Sequence, residues 1–569
     1  MRRHRVTPLE YVYVVLLAAV AAYGFVSRGY VPTVPPRSDV FQTVTVAAGG
    51  AARLSTELYQ PIDLLVPVPP GQLLGRASLF DVDAVATFSN AATGDTFVTH
   101  AFYDGGADGN AVYRFRFTPT SLGSWALSTV SDVPALDGVE GGITVVPSSD
   151  ADRRGFLGSA FGRFAVPVAS SQAPVAVPYQ VYHRGGWPLE DLGSLPRDEQ
   201  ALRLALADLL DEAATNGFDA VLVGVWHQWF ELGTSRSDRH FSVSPDPATF
   251  RVLETLASMA HERGMFLHIW QWGDRPRAWS PRGILADARV EGDSGGVGGV
   301  ADLRLQRYIA ARLGPLPNWT LSYGFDLNEW ADEDAVRDWS EYLLAHSARP
   351  HLLTGMEVRR SPSNVFDLGE ETLGLVSKTR IAEAAIDGAS ASGGSVPMVL
   401  YDAAIIERAA AREKPVIFET RYLHLRDGVW TMDRTRRAMW SLSMAGGVAA
   451  IWGVDWDLQA PYPHPEQLRT HRAFWTRWPL GDGSSAARED GSLVLLSADG
   501  DRAVVYAVDS DAANVERATR KTPGADVAAL AADTAAPALK EVHTPSQKTI
   551  DELCAFLKCA PEQTIKTLI

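Results

Sequence analysis

Cysteine is almost absent from this chain. Only two of its 569 residues, Cys554 and Cys559, are cysteine, and both lie near the C-terminus. A small scaffold held together by disulfides is therefore excluded, and the four-residue gap between them matches no metal motif. His183, His227 and His268 could in principle bind zinc, but no HExxH-like spacing accompanies them. We expect neither a metal nor an organic cofactor.

Basic residues are in the minority. Lysine and arginine number 52 against 68 acidic residues, which gives a net charge of −16. This balance argues against nucleic acid or acidic polymers as the main partner, because a phosphate backbone needs a basic groove. With 46% hydrophobic and 21% charged residues the chain has an ordinary globular composition, and its length exceeds that of one domain.

Long apolar runs are scarce, and the first lies at the N-terminus. Tyr11–Val26 holds 16 residues without a charge and follows the basic start Met1–Arg5. At about 1.5 Å per helical residue it spans about 24 Å, short of the roughly 30 Å hydrocarbon core. We expect residues 1–30 to be a signal peptide or signal anchor and residues 31–40 a proline-rich linker. The chain would then be anchored in the cell membrane with its domains outside, or secreted.

Residues 175–480 alternate short apolar runs with helical patterns, which is typical of repeated βα units. The count predicts a (β/α)8 TIM barrel, preceded by a linker at 149–174. Helices are predicted at Arg197–Asn216, Pro247–Arg263 and Arg434–Met444. The predicted strands are Pro178–His183, Asp219–Trp226, Met265–Trp272, Ser322–Leu327, His351–Met356, a weak one within Pro397–Tyr401, Pro415–Phe418 and Val448–Val454.

Two carboxylates stand at predicted strand ends. Glu329 follows the fourth strand and Glu419 ends the seventh. Functional side chains of a (β/α)8 barrel gather at the C-terminal ends of its strands. Hydrolysis of a glycosidic bond with retention needs two carboxyl groups about 5 Å apart, one to attack and one to protonate the leaving oxygen. Alternatively, each glutamate alone forms a salt bridge or caps a helix.

Asn328-Glu329 after the fourth strand and Glu419 after the seventh resemble the clan of retaining (β/α)8 glycosidases that includes cellulases and β-mannanases. The resemblance covers about residues 175–480. It implies that Glu329 is the general acid/base, Glu419 the nucleophile and Asn328 a hydrogen-bond partner of the sugar 2-hydroxyl. It also implies that Trp452 is an aromatic sugar platform after the eighth strand.

Other strand ends combine aromatic and polar residues, as in Trp226–Trp229, His268–Asp274 and Trp452–Trp456. Indole rings stack on the C–H faces of sugars, while hydroxyls need donors and acceptors. Some of these tryptophans are alternatively core residues. Arg421 is expected to keep Glu419 charged. The predicted substrate-binding residues are Asn328, Trp452, Trp229, His227, His268, Trp272, Arg421 and Asp455.

Residues 41–148 alternate apolar and polar positions between Gly, Asp and Pro turns, which predicts an all-β sandwich. The segments His100–Gly105, Tyr113–Pro119 and Leu122–Trp125 resemble the immunoglobulin-like domain that precedes the barrel in bacterial apiosidase-like candidate glycosidases. This resemblance implies a carbohydrate-active protein. It leaves open whether the sandwich binds sugar or braces the barrel.

The C-terminal residues have a different character. Strands predicted at Ser492–Ser497 and Arg502–Val508 give a partial β-domain over 481–508, and the chain then becomes alanine-rich and helical. Within 509–569, Asp511–Ala518, Lys540–Pro545 and Thr564–Ile569 resemble prolyl-tRNA synthetase where its editing insertion begins. The segment lacks the rest of that enzyme, so the resemblance implies a fused reading frame and no editing function. The alternative is a native helical appendage.

The sequence thus predicts a membrane-anchored or secreted retaining glycoside hydrolase that acts on an extracellular poly- or oligosaccharide. A non-catalytic carbohydrate-binding or scaffold protein at the cell surface is the alternative from another class. A tRNA-related protein conflicts with the export signal and the acidic charge.

Overall fold

The computed structural model shows a mixed α/β chain that divides into two compact units. The first comprises the described residues of Met1–Pro147, Arg304–Pro315 and His346–Arg349, and the second those of the remaining chain. The described residues are 39–47, 50–160, 162–171, 173–184, 186–232, 244–273, 296–324, 331, 333–357, 374–378, 396–410, 414–420, 432–454, 465–477, 485–489, 492–496, 502–507 and 526–531.

The first unit contains two β-sheets that pack face to face. Phe117 of one sheet stacks on Phe88 of the other with ring centroids 4.3 Å apart, and Trp125 meets Phe117 at 5.0 Å. The sheets have the orders β1-β3-β7-β6 and β2-β9-β8-β4-β5. Their strands are β1 Gln42–Thr45, β2 Ala51–Glu57, β3 Ile62–Val68, β4 Ala84–Asn90, β5 Asp95–His100, β6 Phe102–Ala107, β7 Asn110–Phe117, β8 Gly123–Ser131 and β9 Glu140–Val146.

A buried charge network crosses this unit. Asp63 binds the guanidinium of Arg116 through both carboxylate oxygens, at 2.7 and 2.8 Å. Asp104 accepts a 2.7 Å hydrogen bond from Nε of Arg114 and pairs with Arg312. Buried carboxylates and guanidinium groups are tolerated because they compensate one another's charge.

The second unit contains a parallel sheet whose strands are hydrogen-bonded in sequence order, and whose first strand pairs with the last, so that the described strands close into a barrel. Every residue of the second, third and fourth strands is buried, as expected for parallel strands covered on both faces. The strands are β13 Val181–Arg184, β14 Ala220–Gly224, β15 Phe266–Trp270, β16 Trp319–Ser322, β17 Leu353–Glu357, β18 Gly374–Lys378, β19 Val416–Thr420 and β20 Val448–Val454.

The described helices are α1 Glu199–Thr215, α2 Pro247–Glu262, α3 Val300–Arg312, α4 Glu333–His346, α5 Val396–Ala410, α6 Met432–Met444 and α7 Pro465–Arg477. Helix α1 illustrates why they form. Asp198 caps its first turn by accepting a 2.9 Å hydrogen bond from the N–H of Ala201. Gly217 follows its C-terminus with φ of 88°, a left-handed conformation that suits glycine. Its predicted apolar positions are all buried: Leu202, Leu206, Leu209, Leu210 and Ala213.

Two predicted strands of the parallel sheet are wrong in position. The sixth strand was predicted within Pro397–Tyr401, which instead belongs to α5, and the strand that fills this place is β18. A five-residue apolar run does not by itself distinguish a strand from a buried helix turn. The fourth strand, predicted at Ser322–Leu327, is Trp319–Ser322 in the structure, although burial continues beyond it to Tyr323.

Two predicted segment boundaries also need correction. The stretch predicted as a linker at 149–174 contributes to a three-stranded antiparallel sheet formed by β10 Gly158–Ala160, β11 Arg163–Pro167 and β12 Pro174–Ala176. Beyond the predicted limit at residue 508, β24 Asp526–Ala531 pairs with β23 Arg502–Ala507. Together with β21 Ser485–Glu489 and β22 Ser492–Leu496 they form a four-stranded sheet.

The predicted signal or anchor at 1–30 lies outside the described residues, as does most of the linker at 31–40. Within the described ranges, no helix combines the length and the hydropathy that crossing a bilayer requires.

Candidate functional site

The C-terminal ends of β13, β14 and β15 bring aromatic and polar side chains together. The imidazole of His183 and the indole of Trp270 lie 5.4 Å apart, and Trp226 lies 6.5 Å from Trp270. Gly224 makes this arrangement possible, since a Cβ there would lie 2.6 Å from the Trp226 ring. The carboxyl ends of parallel strands are the usual location of ligand sites in α/β folds. We call His183, Trp226 and Trp270 the strand-end cluster.

His183 is oriented by a buried carboxylate. Its Nε2 lies 2.7 Å from Oε1 of Glu190, and Oε2 of Glu190 accepts a 2.9 Å hydrogen bond from the N–H of Gly186. The indole N–H of Trp226 donates to the carbonyl of Glu190 at 3.1 Å. The second ring nitrogen of His183, Nδ1, is buried and has no hydrogen-bond partner among the described residues. A nearby carboxylate is a common way to fix which ring nitrogen carries the proton.

His268 is held by the hydroxyl groups of two buried residues. Its Nδ1 lies 2.8 Å from the hydroxyl of Thr320, which is itself 2.5 Å from the hydroxyl of Tyr179. Burial, with a smaller contribution from the charge of His183, lowers the pKa of His268 to about 3, so the ring is neutral near pH 7. Burial likewise raises the pKa of Tyr179, which keeps its proton. The Nε2 atom of His268 has no partner in the described part of the chain.

Gln271 and Trp272 follow directly after β15 and are both fully buried. Neither the side-chain amide of Gln271 nor the indole N–H of Trp272 has a hydrogen-bond partner within the described ranges. Leaving such a group unpaired costs about 1–3 kcal/mol, and native proteins rarely do so. Together with Nδ1 of His183 and Nε2 of His268, which also lack a partner among the described residues, these atoms are suited to binding the hydroxyl groups of a ligand.

Two other predicted binding residues, His227 and Trp229, lie in a short 3-10 helix after β14. Both are buried, and the indole N–H of Trp229 donates to the carbonyl of Gln271 at 2.9 Å. Trp229 therefore supports the backbone beside Trp272. Direct contact of His227 or Trp229 with substrate stays a prediction.

Trp452, the residue expected to form a sugar platform, lies within β20, whose bounds Val448–Val454 agree with the predicted eighth strand. Its indole N–H donates to the side-chain oxygen of Gln180, and the ring is only 1% exposed. A sugar platform presents an open ring face, and that of Trp452 is covered. Its role as a platform stays a prediction.

Of the two predicted catalytic carboxylates, Glu419 lies on a described strand. It is the fourth of five residues of β19, one position before the strand ends, and it pairs with Ile451 of β20. Glu329 and Asn328 lie outside the described residues, as do Arg421 and Asp455. Among the residues that are described, no group of three or more His, Cys, Asp or Glu side chains is placed to hold a metal ion.

Sequence reasoning missed the residues that orient the histidines. Glu190 lies seven positions after His183 in a 3-10 turn, where no periodic pattern predicts a contact. Tyr179 and Gln180 precede β13 and were read only as part of a strand. The weak signal was the polar character of Gln180, His183 and His268 within otherwise apolar strands, since buried polar side chains need partners.

Comparison with known proteins gives matches that each cover only part of the chain. A family profile described only as a domain of unknown function, DUF5060, matches residues 78–132. Proline–tRNA ligase of Moorella thermoacetica is 39% identical over 87 residues, and that of Streptococcus pyogenes is 38% identical over 105. These matches span 14% and 16% of the length of the two ligases.

Among solved structures, a candidate glycoside hydrolase from Bacteroides vulgatus resembles this chain with a TM-score of 0.55 and 16% identity. The similarity covers 78% of this chain and 84% of that one. The cyclic α-maltosyl-(1→6)-maltose hydrolase of Arthrobacter globiformis gives a TM-score of 0.38 at 14% identity, over 57% of this chain and 90% of its own. The chain thus has the fold of the Bacteroides vulgatus protein over most of its length.

Proposed function

We propose that this protein is a retaining glycoside hydrolase built on a (β/α)8 barrel. Glu419 attacks the anomeric carbon, and Glu329 first protonates the leaving oxygen and then deprotonates water. The first unit is the immunoglobulin-like domain that precedes such a barrel. The substrate is an extracellular poly- or oligosaccharide, and residues 1–30 direct the protein to the cell membrane or to secretion.

The observation that carries the proposal is the position of Glu419. Glu419 is one position before the end of the seventh strand of a closed parallel barrel. Functional residues of such barrels are found at the C-terminal ends of the strands. The fold similarity to the Bacteroides vulgatus candidate hydrolase supports the same assignment.

The chemistry requires the two glutamates to differ in protonation. Glu419 must be ionised to act as a nucleophile, and Glu329 must hold a proton at the start of the reaction. In the proposed site Arg421 stabilises the charge of Glu419, and Asn328 binds the 2-hydroxyl of the sugar.

The strand-end cluster and its neighbours support a hydroxyl-rich ligand. His183, His268, Gln271 and Trp272 each carry a buried polar atom that lacks a partner among the described residues. Such atoms can donate to or accept from sugar hydroxyls, and the indole rings around them provide apolar surface.

Sugar release tests the proposal. The full chain, Glu329→Ala and Glu419→Ala are incubated with plant, fungal and bacterial polysaccharides and with aryl glycosides. Release by the wild type that both variants lose supports the hydrolase and identifies its substrate. Tight glycan binding without release by any of the three would overturn catalysis in favour of a carbohydrate-binding protein.

A further inference from the structure

Different hydrogen-bond partners determine which ring nitrogen carries the proton in His183 and in His268. A carboxyl group is a stronger acid than an imidazolium, so Glu190 accepts the hydrogen bond and Nε2 of His183 donates it. In the neutral ring the lone pair of His183 is then on Nδ1. This atom is an acceptor.

The hydroxyl groups of Tyr179 and Thr320 make the unpaired nitrogen of His268 a donor, whereas that of His183 is an acceptor. Tyr179 is fully buried, and Thr320 is the hydrogen-bond partner that the structure gives its hydroxyl. Tyr179 therefore donates its single proton to Thr320, since an undonated buried proton is unfavourable. Thr320 in turn donates to Nδ1 of His268, which leaves the ring proton on Nε2. This atom is a donor.

His183, which carries the acceptor, and His268, which carries the donor, lie in the same row of paired residues across β13, β14 and β15. Tyr182 pairs with Val221, so the next residue, His183, is level with Leu222, and Leu222 pairs with His268. The strands of a barrel are tilted, so the β15 ring nearest to His183 in the structure is that of Trp270, at 5.4 Å. His268 lies two residues before Trp270 and therefore on the same face of β15.

We propose that Nδ1 of His183 and Nε2–H of His268 form an acceptor–donor pair that binds the hydroxyl groups of a neutral sugar. Glu190 and the Tyr179–Thr320 pair act as positioning residues that fix the two protons. This inference rests on the proposed function of the same site and adds the substrate class. An acidic sugar fits poorly, because its carboxylate needs donors, whereas His183 offers a lone pair next to the negative charge of Glu190.

Nitrogen-15 spectra of histidine-labelled full-length protein test the protonation states without any assay of activity. The chain has 13 histidines, and His183→Asn and His268→Gln identify the two signals by their loss. We expect a proton on Nε2 and none on Nδ1 in each ring. A proton on Nδ1 of either histidine, or an unprotonated Nε2 of His183, overturns the inference.

Binding and turnover test the substrate class. Glucose, mannose, galactose, xylose and glucuronate are titrated into the labelled protein, and we expect a neutral sugar, not glucuronate, to shift both signals. On the hydrolysed substrate, His268→Gln and Thr320→Val should lower kcat/KM by about tenfold. Among substrates that each lack one hydroxyl, one should show a kcat/KM with the wild type that is lower by a similar factor. His268→Gln should have the same kcat/KM on that substrate as on the complete one.

The outcomes separate this inference from the function on which it rests. Sugar release by the wild type, together with unchanged histidine signals and an unchanged kcat/KM in His268→Gln, overturns the acceptor–donor pair and leaves the hydrolase. Preference for glucuronate overturns the substrate class alone. A wild type that releases nothing contradicts the hydrolase, while neutral-sugar shifts at both histidines would still support the binding pair.

Discussion

Asp104 and Arg312 form an ion pair at 2.9 Å in which both side chains are almost fully buried, at 3% and 1% exposed. The same carboxylate accepts a hydrogen bond from Arg114. Asp104 thus compensates Arg312, and it shares the compensation of Arg114 with Asp39 and Asp63. Such a group is difficult to remove, because the charges left behind cannot be solvated.

Asp104→Ala should therefore destabilise the first unit strongly. We expect a loss of about 3–5 kcal/mol in the free energy of unfolding, since the buried Arg312 loses this carboxylate while Arg114 keeps its pairs with Asp39 and Asp63. Urea unfolding followed by fluorine-19 spectra of fluorotryptophan-labelled protein measures it, with Trp125→Phe identifying the Trp125 signal among the 16 tryptophans. Asp83→Ala is the matched control, because Asp83 pairs with Arg307 but is 71% exposed, and it should cost less than about 1 kcal/mol. Equal losses in the two variants would contradict the role of burial.

Gly217 should be difficult to replace. It has φ of 88°, and a Cβ would lie 2.8 Å from the backbone nitrogen of Arg469. Gly217→Ala combines left-handed strain with a clash against backbone, so we expect a loss of at least about 2 kcal/mol. Gly296 has φ of 80° with open space around it, and Gly296→Ala should cost about 1 kcal/mol from strain alone. Thermal unfolding of both variants beside the wild type gives the comparison.

The protein should lose stability in mild acid. His471 is fully buried against Ser443, and burial lowers its pKa to about 3, below the value of 6.5 of an unfolded chain. Between pH 3 and pH 6.5, His471 carries a proton in the unfolded chain that it lacks in the folded protein. Stability is then full above pH 6.5 and falls as the pH drops toward 3, by about 2 kcal/mol between pH 7 and pH 5 from this group.

His471→Gln keeps a polar partner for Ser443 and removes the titration. Urea unfolding at pH 7 and pH 5 should show a smaller acid loss in this variant than in the wild type. The same dependence on pH in both proteins would show that His471 does not contribute.

The two proposed carboxylates can be distinguished by the leaving group of the substrate. Glu329→Ala should retain the first step on aryl glycosides with acidic phenols, which leave without protonation, and should lose about 10²–10⁴-fold on substrates with poor leaving groups. Glu419→Ala should fail on both, and azide should restore turnover by replacing the missing nucleophile. Rapid-mixing measurement of phenol release decides the assignment. The reverse pattern would exchange the two roles.

Sequence patterns predicted the helices and strands that have clear capping residues or regular apolar positions. Helix α1 has a capping Asp198, periodic leucines and Gly217 at its end, so its position follows from local chemistry. The seventh and eighth strands were predicted to within two residues, because Val416–Phe418 and Val448–Ile451 are continuous buried apolar runs. The sixth strand could not be located, since Gly374–Lys378 is short and ends in polar residues.

The candidate site was predictable only in part. The position of Glu419 near the end of the seventh strand was predicted, and its catalytic role stays a prediction. The link between His183 and Glu190 was not, because it depends on how a short turn folds back over β13. Hydrogen bonds such as that of Tyr179 with Thr320 join residues 141 positions apart, and no local pattern in the sequence encodes them.

The pairing of β23 with β24 determines where the chain can safely be shortened. Val504, Val505 and Tyr506 of β23 are buried, and β24 pairs with the strand along six consecutive positions. A chain cut at residue 508 would leave the hydrogen-bonding groups along that side of β23 without their neighbour. Open strand edges recruit other chains, so the shortened protein would be prone to aggregate even with Glu329 and Glu419 intact.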